Sequence, residues 1–125
     1  MDVLQMKRLT NYLEFFQNDR SVFFTENKGW RIESPEVSQF RKELYDTEFL
    51  LVFDWVQWIT ENDEFKNVNN NVQDKIMNAD LETLRKLMTS YIRGDRFNEG
   101  LFIDVILKGH VTDILLRLQE LENTM

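Results

Sequence analysis

The 125-residue chain contains no cysteine, so disulfides, thiolate zinc sites and thiol nucleophiles are excluded together. With one proline and four glycines, it is neither a proline-rich linker nor a collagen-like repeat. The glycines stand apart at 29, 94, 100 and 109. A P-loop or dinucleotide fingerprint needs them clustered, to bring backbone amides to phosphate. The single histidine, His110, rules out an HExxH zinc site and a di-iron bundle. A serine–histidine–acid triad would join it to Ser21, Ser34, Ser38 or Ser90, and none of these lies in a nucleophile elbow. Following Gly109 at a helix junction, His110 reads as a capping or surface residue. No catalytic residue, metal ligand or cofactor is therefore assigned.

Basic charge is also scarce. The net charge is −7, and residues 1–62 carry 7 basic and 11 acidic side chains against 8 and 11 in residues 63–125. Nucleic-acid binders draw non-specific affinity from neutralised phosphates, so an evenly acidic chain is not expected to bind them. An acidic surface could still mimic DNA or meet a basic partner, with self-association left open. The longest apolar stretch, Phe49 to Ile59, falls short of the ~20 residues that span a bilayer as a helix. The opening Met1–Lys7 lacks the basic start and apolar run of a signal peptide. The expectation is a cytoplasmic chain with no membrane partner.

What is plentiful is apolar bulk: 42% of residues are hydrophobic, with ten phenylalanines and three tryptophans. Area scaling for this size gives a folded surface of roughly 7,000 Å² against about 22,000 Å² unfolded. That suffices for one core, and the reading is a single helical domain over residues 1–125.

Leu9, Leu13 and Phe16 recur at helical spacing and predict a helix over residues 2–18. Val22-Phe23-Phe24 and Trp30-Arg31-Ile32 flank Asn27-Lys28-Gly29, which fits a short hairpin or an ordered loop near residues 22–32. Ser34-Pro35 is a helix start, with serine capping and proline at the first position. Val37, Phe40 and Leu44 form its core face, and Asp46 or Thr47 reads as the cap of a helix running to Asn62. Nine of the eleven residues from Phe49 to Ile59 are apolar, so that helix is expected at the centre, with Phe53, Trp55 and Trp58 in the core. Phe65, Val68, Val72 and Ile76 keep helical spacing through an asparagine-rich stretch. Asp80 caps a clearer helix, lined inside by Leu81, Leu84, Leu87, Met88, Tyr91 and Ile92, with a Glu82/Lys86 pair outside. Asp104 and Lys108 share one face of an otherwise apolar helix at 101–108. Gly109 ends it, and Val111, Ile114, Leu115, Leu118 and Leu121 stripe a terminal helix. The fold expected is an all-α, compact orthogonal bundle of six or seven helices.

Asp54, Asp104 and Asp113 each interrupt an apolar run, and converging carboxylates would suit a hard divalent cation. The plainer reading is surface pairing, because Asp104/Lys108 and Asp113/Arg117 lie four apart. The aromatic residues could line a ligand pocket, but at this density they more often fill a core. The densest local mixture of charge, glycine and aromatic is Tyr91-Ile92-Arg93-Gly94-Asp95-Arg96-Phe97-Asn98-Glu99-Gly100-Leu101. Arginines three apart share a helix face and can hold a phosphate or carboxylate bidentately. In the structural alternative, Arg93 or Arg96 reaches Glu99 or nearby carbonyls, Phe97 plugs the junction and Gly100 lets helices approach.

The pattern Arg93-x-x-Arg96-Phe97-x-x-Gly100, followed by Gly109 and Ile114-Leu115, with Phe53-Asp54-Trp55 and Trp58 upstream, resembles a bacterial family of small helical domains of unknown function. In some bacteria similar segments follow macrodomain-type ADP-ribose-processing modules, so the resemblance implies a nucleotide-linked setting. Two functions follow: a non-catalytic interaction or accessory module, or a small nucleotide- or ADP-ribose-linked binder or enzyme using Arg93, Arg96, Phe97, Glu99 and Gly100.

Overall fold

The computed structural model describes residues 1–125. Helices α1 (Val3–Thr10) and α2 (Leu13–Gln17) precede strands β1 (Phe24–Asn27) and β2 (Trp30–Glu33). Then come α3 (Pro35–Asp46), α4 (Trp55–Glu61), a 3-10 turn (Asp63–Phe65), α5 (Gln73–Met77), α6 (Leu81–Gly94), α7 (Leu101–Leu107) and α8 (His110–Asn123). The accessible surface is 7409 Å², close to the ~7,000 Å² expected for this mass. No helix is long and apolar enough to cross a membrane.

Local chemistry sets most boundaries. Asp2 and Gln5 form a reciprocal capping box on α1. The expected 2–18 helix is broken, because the Tyr12 amide bonds to the Leu9 carbonyl, three residues back, and the chain turns before α2. Ser34 Oγ accepts from the Val37 amide with Pro35 behind it, starting α3 as expected. Lys28 (φ 53°) and Gly29 (φ 83°) are both left-handed, the requirement of a two-residue hairpin turn. They join β1 and β2 in the register Phe24↔Glu33 to Asn27↔Trp30.

The centre of the molecule is α8, which packs against α1, α2, α5, α6 and α7. Val111, Ile114, Leu115 and Leu118 are buried on it, facing Leu84, Leu87 and Met88 of α6 and Phe102 and Val105 of α7. This corrects the expectation of a central helix over 47–62. Thr47 and Glu48 end α3 rather than begin the next helix. The amides of Glu48 and Phe49 bond to the Tyr45 and Leu44 carbonyls, with Glu48 left-handed at φ 58°, a Schellman arrangement. Beyond it, side chains of α6 take over the backbone. Arg85 donates to the Glu48 and Phe49 carbonyls, and Thr89 Oγ1 accepts from the Leu51 amide at 2.9 Å. The chain stays non-helical until Asp54 caps α4 by accepting from the Gln57 amide. Helix α4 has no buried residue, and Phe53, Trp55 and Trp58 are half-exposed at the rim rather than in the core.

The asparagine stretch is not helical either. Asn67 and Asn71 accept from the Asn69 and Gln73 amides, offering the backbone an alternative to a helix ladder. Of the expected surface pairs, Glu82/Lys86 forms at 3.6 Å, whereas Asp104/Lys108 and Asp113/Arg117 do not. Asp104 pairs with Arg31, Asp113 accepts from Gln73, and Arg117 reaches Glu120 and the Ala79 carbonyl.

Candidate functional site

Between β2 and the corner joining α6 to α7 lies an open cleft of about 670 Å³. All four residues of β2 line it, facing Asp95, Glu99, Gly100, Ile103 and Asp104, with Gly29 and Ser38 at the rim. The corner is tight because Gly94 is buried; a Cβ there would come within 3.0 Å of Leu101 Cδ2. Gly100 starts α7 at φ 89°, a conformation that favours glycine.

Three half-buried charges form the back of the cleft. The Arg41 guanidinium grips Glu33 through Nε (2.8 Å to Oε2) and Nη2 (2.6 Å to Oε1), and Nη2 also donates to Asp95 Oδ2 at 3.0 Å. The other Asp95 oxygen accepts from the Phe102 amide at 3.0 Å, capping the first turn of α7. Arg41 also lies over the Phe102 ring, 4.5 Å from its centroid. Burial alone would lower the Arg41 pKa; the hydrogen bond and charge of Glu33, then those of Asp95, outweigh it and hold the guanidinium above its ordinary value. The network ties hairpin, α3 and the α6–α7 corner together.

The front is looser. Arg31 Nη1 reaches Asp104 Oδ1 at 2.8 Å with both side chains well exposed, and Arg31 lies over Phe24. Glu99 makes no ion pair or side-chain hydrogen bond. Trp30 is 60% exposed and Ile32 49%. Four carboxylates, Glu33, Asp95, Glu99 and Asp104, thus line the cleft against two arginines, Arg31 in its wall and Arg41 behind it, an excess of negative charge.

The residues read from the sequence as a ligand site do not converge. Arg93 leans on the Tyr45 ring at 5.8 Å; Arg96 is exposed and makes no ion pair, and neither arginine lines the cleft. Phe97 does not plug the junction; it is 83% exposed and stacks on Trp55 at 6.1 Å between centroids. Only Glu99 and Gly100 of that set reach the cleft. Sequence reasoning missed Arg41, Glu33, Arg31 and Asp95 as a group. One signal was available: Asp95 carries negative charge at the C-terminal end of α6, where the helix dipole disfavours it, so a cation had to be near.

His110 is a further correction, being buried rather than capping or at the surface. Its Nδ1 lies 2.7 Å from the Tyr91 hydroxyl. Burial pushes the Tyr91 phenol well up, so the hydroxyl keeps its proton beside the ring. Burial also lowers the His110 pKa, with the Val68 and Asn70 carbonyls pulling the other way. Of the serines proposed for a triad, Ser34 caps α3, Ser90 donates to the Lys86 carbonyl and Ser38 lines the cleft, whereas His110 lines a separate hollow. Asp54, Asp104 and Asp113 lie on separate partners, and no group of three or more His, Asp or Glu side chains is placed to hold a metal.

The model of a family of unknown function, DUF6508, matches residues 1–124. No curated protein and no solved structure matches the chain.

Proposed function

We propose that this chain, which belongs to DUF6508, a family of unknown function, is a non-catalytic interaction module working through the cleft beside β2. The observation that carries this reading is the make-up of the cleft: an open strand with exposed Trp30 and Ile32, walled by carboxylates, with no nucleophile–base pair. Such a surface favours a cationic partner over an anion. The bacterial setting implied by the Arg93-x-x-Arg96-Phe97-x-x-Gly100 resemblance, and the cytoplasmic one expected from the lack of cysteine and of a signal-like opening, belong to the same reading.

The competing reading is a nucleotide- or ADP-ribose-linked site on Arg93–Gly100. It finds less support, because its two arginines point to no common cavity and the residues that do reach the cleft bring negative charge. Thermal melts separate the two. A lysine-rich peptide should raise the melting temperature, and ADP-ribose, phosphate and sulfate should not. A shift with ADP-ribose that disappears in a stably folded Arg96→Ala protein would overturn the proposal.

A further inference from the structure

The hairpin is a sheet of only two strands, so each strand has one edge without a partner. In an antiparallel pair, residues alternate between exchanging hydrogen bonds with the partner and turning their peptide groups outward. The Ser34 amide donates to the Phe23 carbonyl, which fixes the phase. Trp30 and Ile32 bond inward to β1, while the N–H and C=O groups of Arg31 and Glu33 point away from it. No hydrogen bond outside the hairpin ladder uses them. Residues 30–33 all line the cleft and no residue of β1 does, so the open edge of β2 and the carboxylate-lined hollow are one feature.

Natural proteins protect such edges with lysine, proline, a bulge or a covering element. Here the edge is short and carries the charges of Arg31 and Glu33, but it has no lysine, proline or bulge, and Trp30 and Ile32 are exposed on it. Four residues of β2 correspond to roughly 13 Å of extended chain. Charge decides what fits. A second copy would bring another chain of net charge −7 against a wall that is already negative. A strand with lysine or arginine at alternate positions would set its cations toward Glu99 and Asp104 and its other side chains beside Trp30 and Ile32. Glu99 has no partner to give up, and Asp104 would exchange only its exposed Arg31 pair.

Resting on the cleft reading above, we infer that the occupant is an extended, Lys/Arg-bearing peptide segment of another protein, added antiparallel or parallel as a third strand on β2. The backbone supplies hydrogen bonds at Arg31 and Glu33, and the carboxylates select for positive charge.

The test uses the full chain and a labelled acetyl-Thr-Lys-Val-Lys-Thr-Arg-amide peptide at low salt. Fluorescence anisotropy should show binding that weakens at least tenfold in the double variant Glu99→Gln, Asp104→Asn. Alternate N-methylation of the peptide backbone should cost a similar factor, because it removes the strand donors. Amide hydrogen exchange should slow at Arg31 and Glu33 when the parent peptide is present. If parent and N-methylated peptides bind alike, or those amides stay unprotected, strand addition is wrong while the acidic cleft as a docking face survives. If neither peptide binds, both readings fall. If sedimentation shows a dimer whose Arg31 and Glu33 amides are already protected, the occupant is a second copy and the inference is overturned.

Discussion

The segment Phe49–Phe65 and helix α8 invert the usual association of aromatic content with burial. The first holds three phenylalanines and two tryptophans, yet only Phe49 and Phe65 are buried; α8 holds no phenylalanine, tyrosine or tryptophan and is the hub of the core. The difference lies in pattern. In α8 the buried apolar residues fall at 111, 114, 115 and 118, one stripe that a helix can turn inward. In 49–59 they occupy nearly every position, so no helical phase is selected. The backbone instead takes the partners that Arg85 and Thr89 offer.

The largest effect should come from cutting the stripe. Ile114 is fully buried, and Ile114→Ala should cost about 3–4 kcal/mol by lost transfer energy and a residual cavity. Trp55→Ala, which removes a half-exposed ring stacked on exposed Phe97, should cost about 1 kcal/mol. Urea titrations of both proteins check the order, and equal losses would break the comparison. Trp58 stacks on buried Phe65 at 6.0 Å between centroids and should fall between them.

That contrast also explains what was legible. Periodic stripes bounded by caps (Ser34-Pro35, Asp80, Gly109) located α3, α6, α7 and α8 from the sequence, and Lys28-Gly29 supported the hairpin. The 47–62 helix failed because its competitors for the backbone lie some 36 residues away in sequence, at Arg85. The cleft was invisible for the same reason. Arg41 and Asp95, 54 residues apart, have no local spacing rule to reveal them, and the reading settled on Arg93 and Arg96, whose spacing was local.

A second prediction sharpens the comparison within the charged residues. Arg41→Ala leaves Glu33 and Asp95 half-buried without their cation, and should cost about 2 kcal/mol, below the 3–5 of a fully buried pair. Arg96→Ala should stay within about 0.5 kcal/mol, because no partner is lost. A thermal melt in which Arg96→Ala is the more damaging would restore the sequence reading of that segment.

Smaller in effect is the His110–Tyr91 contact, whose signature is a pH slope. The folded protein holds the His110 proton less tightly than the unfolded chain does. Its contribution is therefore complete above about pH 6.5 and is lost as acid carries the pH down through the lowered folded value. Lys108 and Asp113 line the same hollow. Asp113 has the opposite sign: burial raises its pKa, with the Gln73 hydrogen bond pulling down, so its contribution fades as pH rises through the carboxylate range. The two slopes oppose each other, so the histidine's share is read as the difference between the wild type and a His110 variant. Melting temperatures from pH 7.5 to 5 should fall for the wild-type protein and fall less for His110→Gln, which can still hydrogen-bond with Tyr91.

The smallest expected effect is a gain, at the point where the aromatic segment of the opening comparison leaves α3. Glu48 is left-handed at φ 58°, in the position where helices most often place glycine. A side chain there costs on the order of 1 kcal/mol in the folded state. Glu48→Gly removes that strain and returns part of it as extra freedom of the unfolded chain, leaving a net gain of about 0.5 kcal/mol. The Schellman bonds from Glu48 and Phe49 and the Arg85 bond to the Glu48 carbonyl are all backbone on this side, so the substitution leaves them intact. A melting temperature raised by roughly 2 °C is the expected result. A fall instead would mean that the Glu48 side chain contributes more to ending α3 than its backbone strain costs, and the extended path of residues 49–53 would then depend on that carboxylate as well as on Arg85 and Thr89.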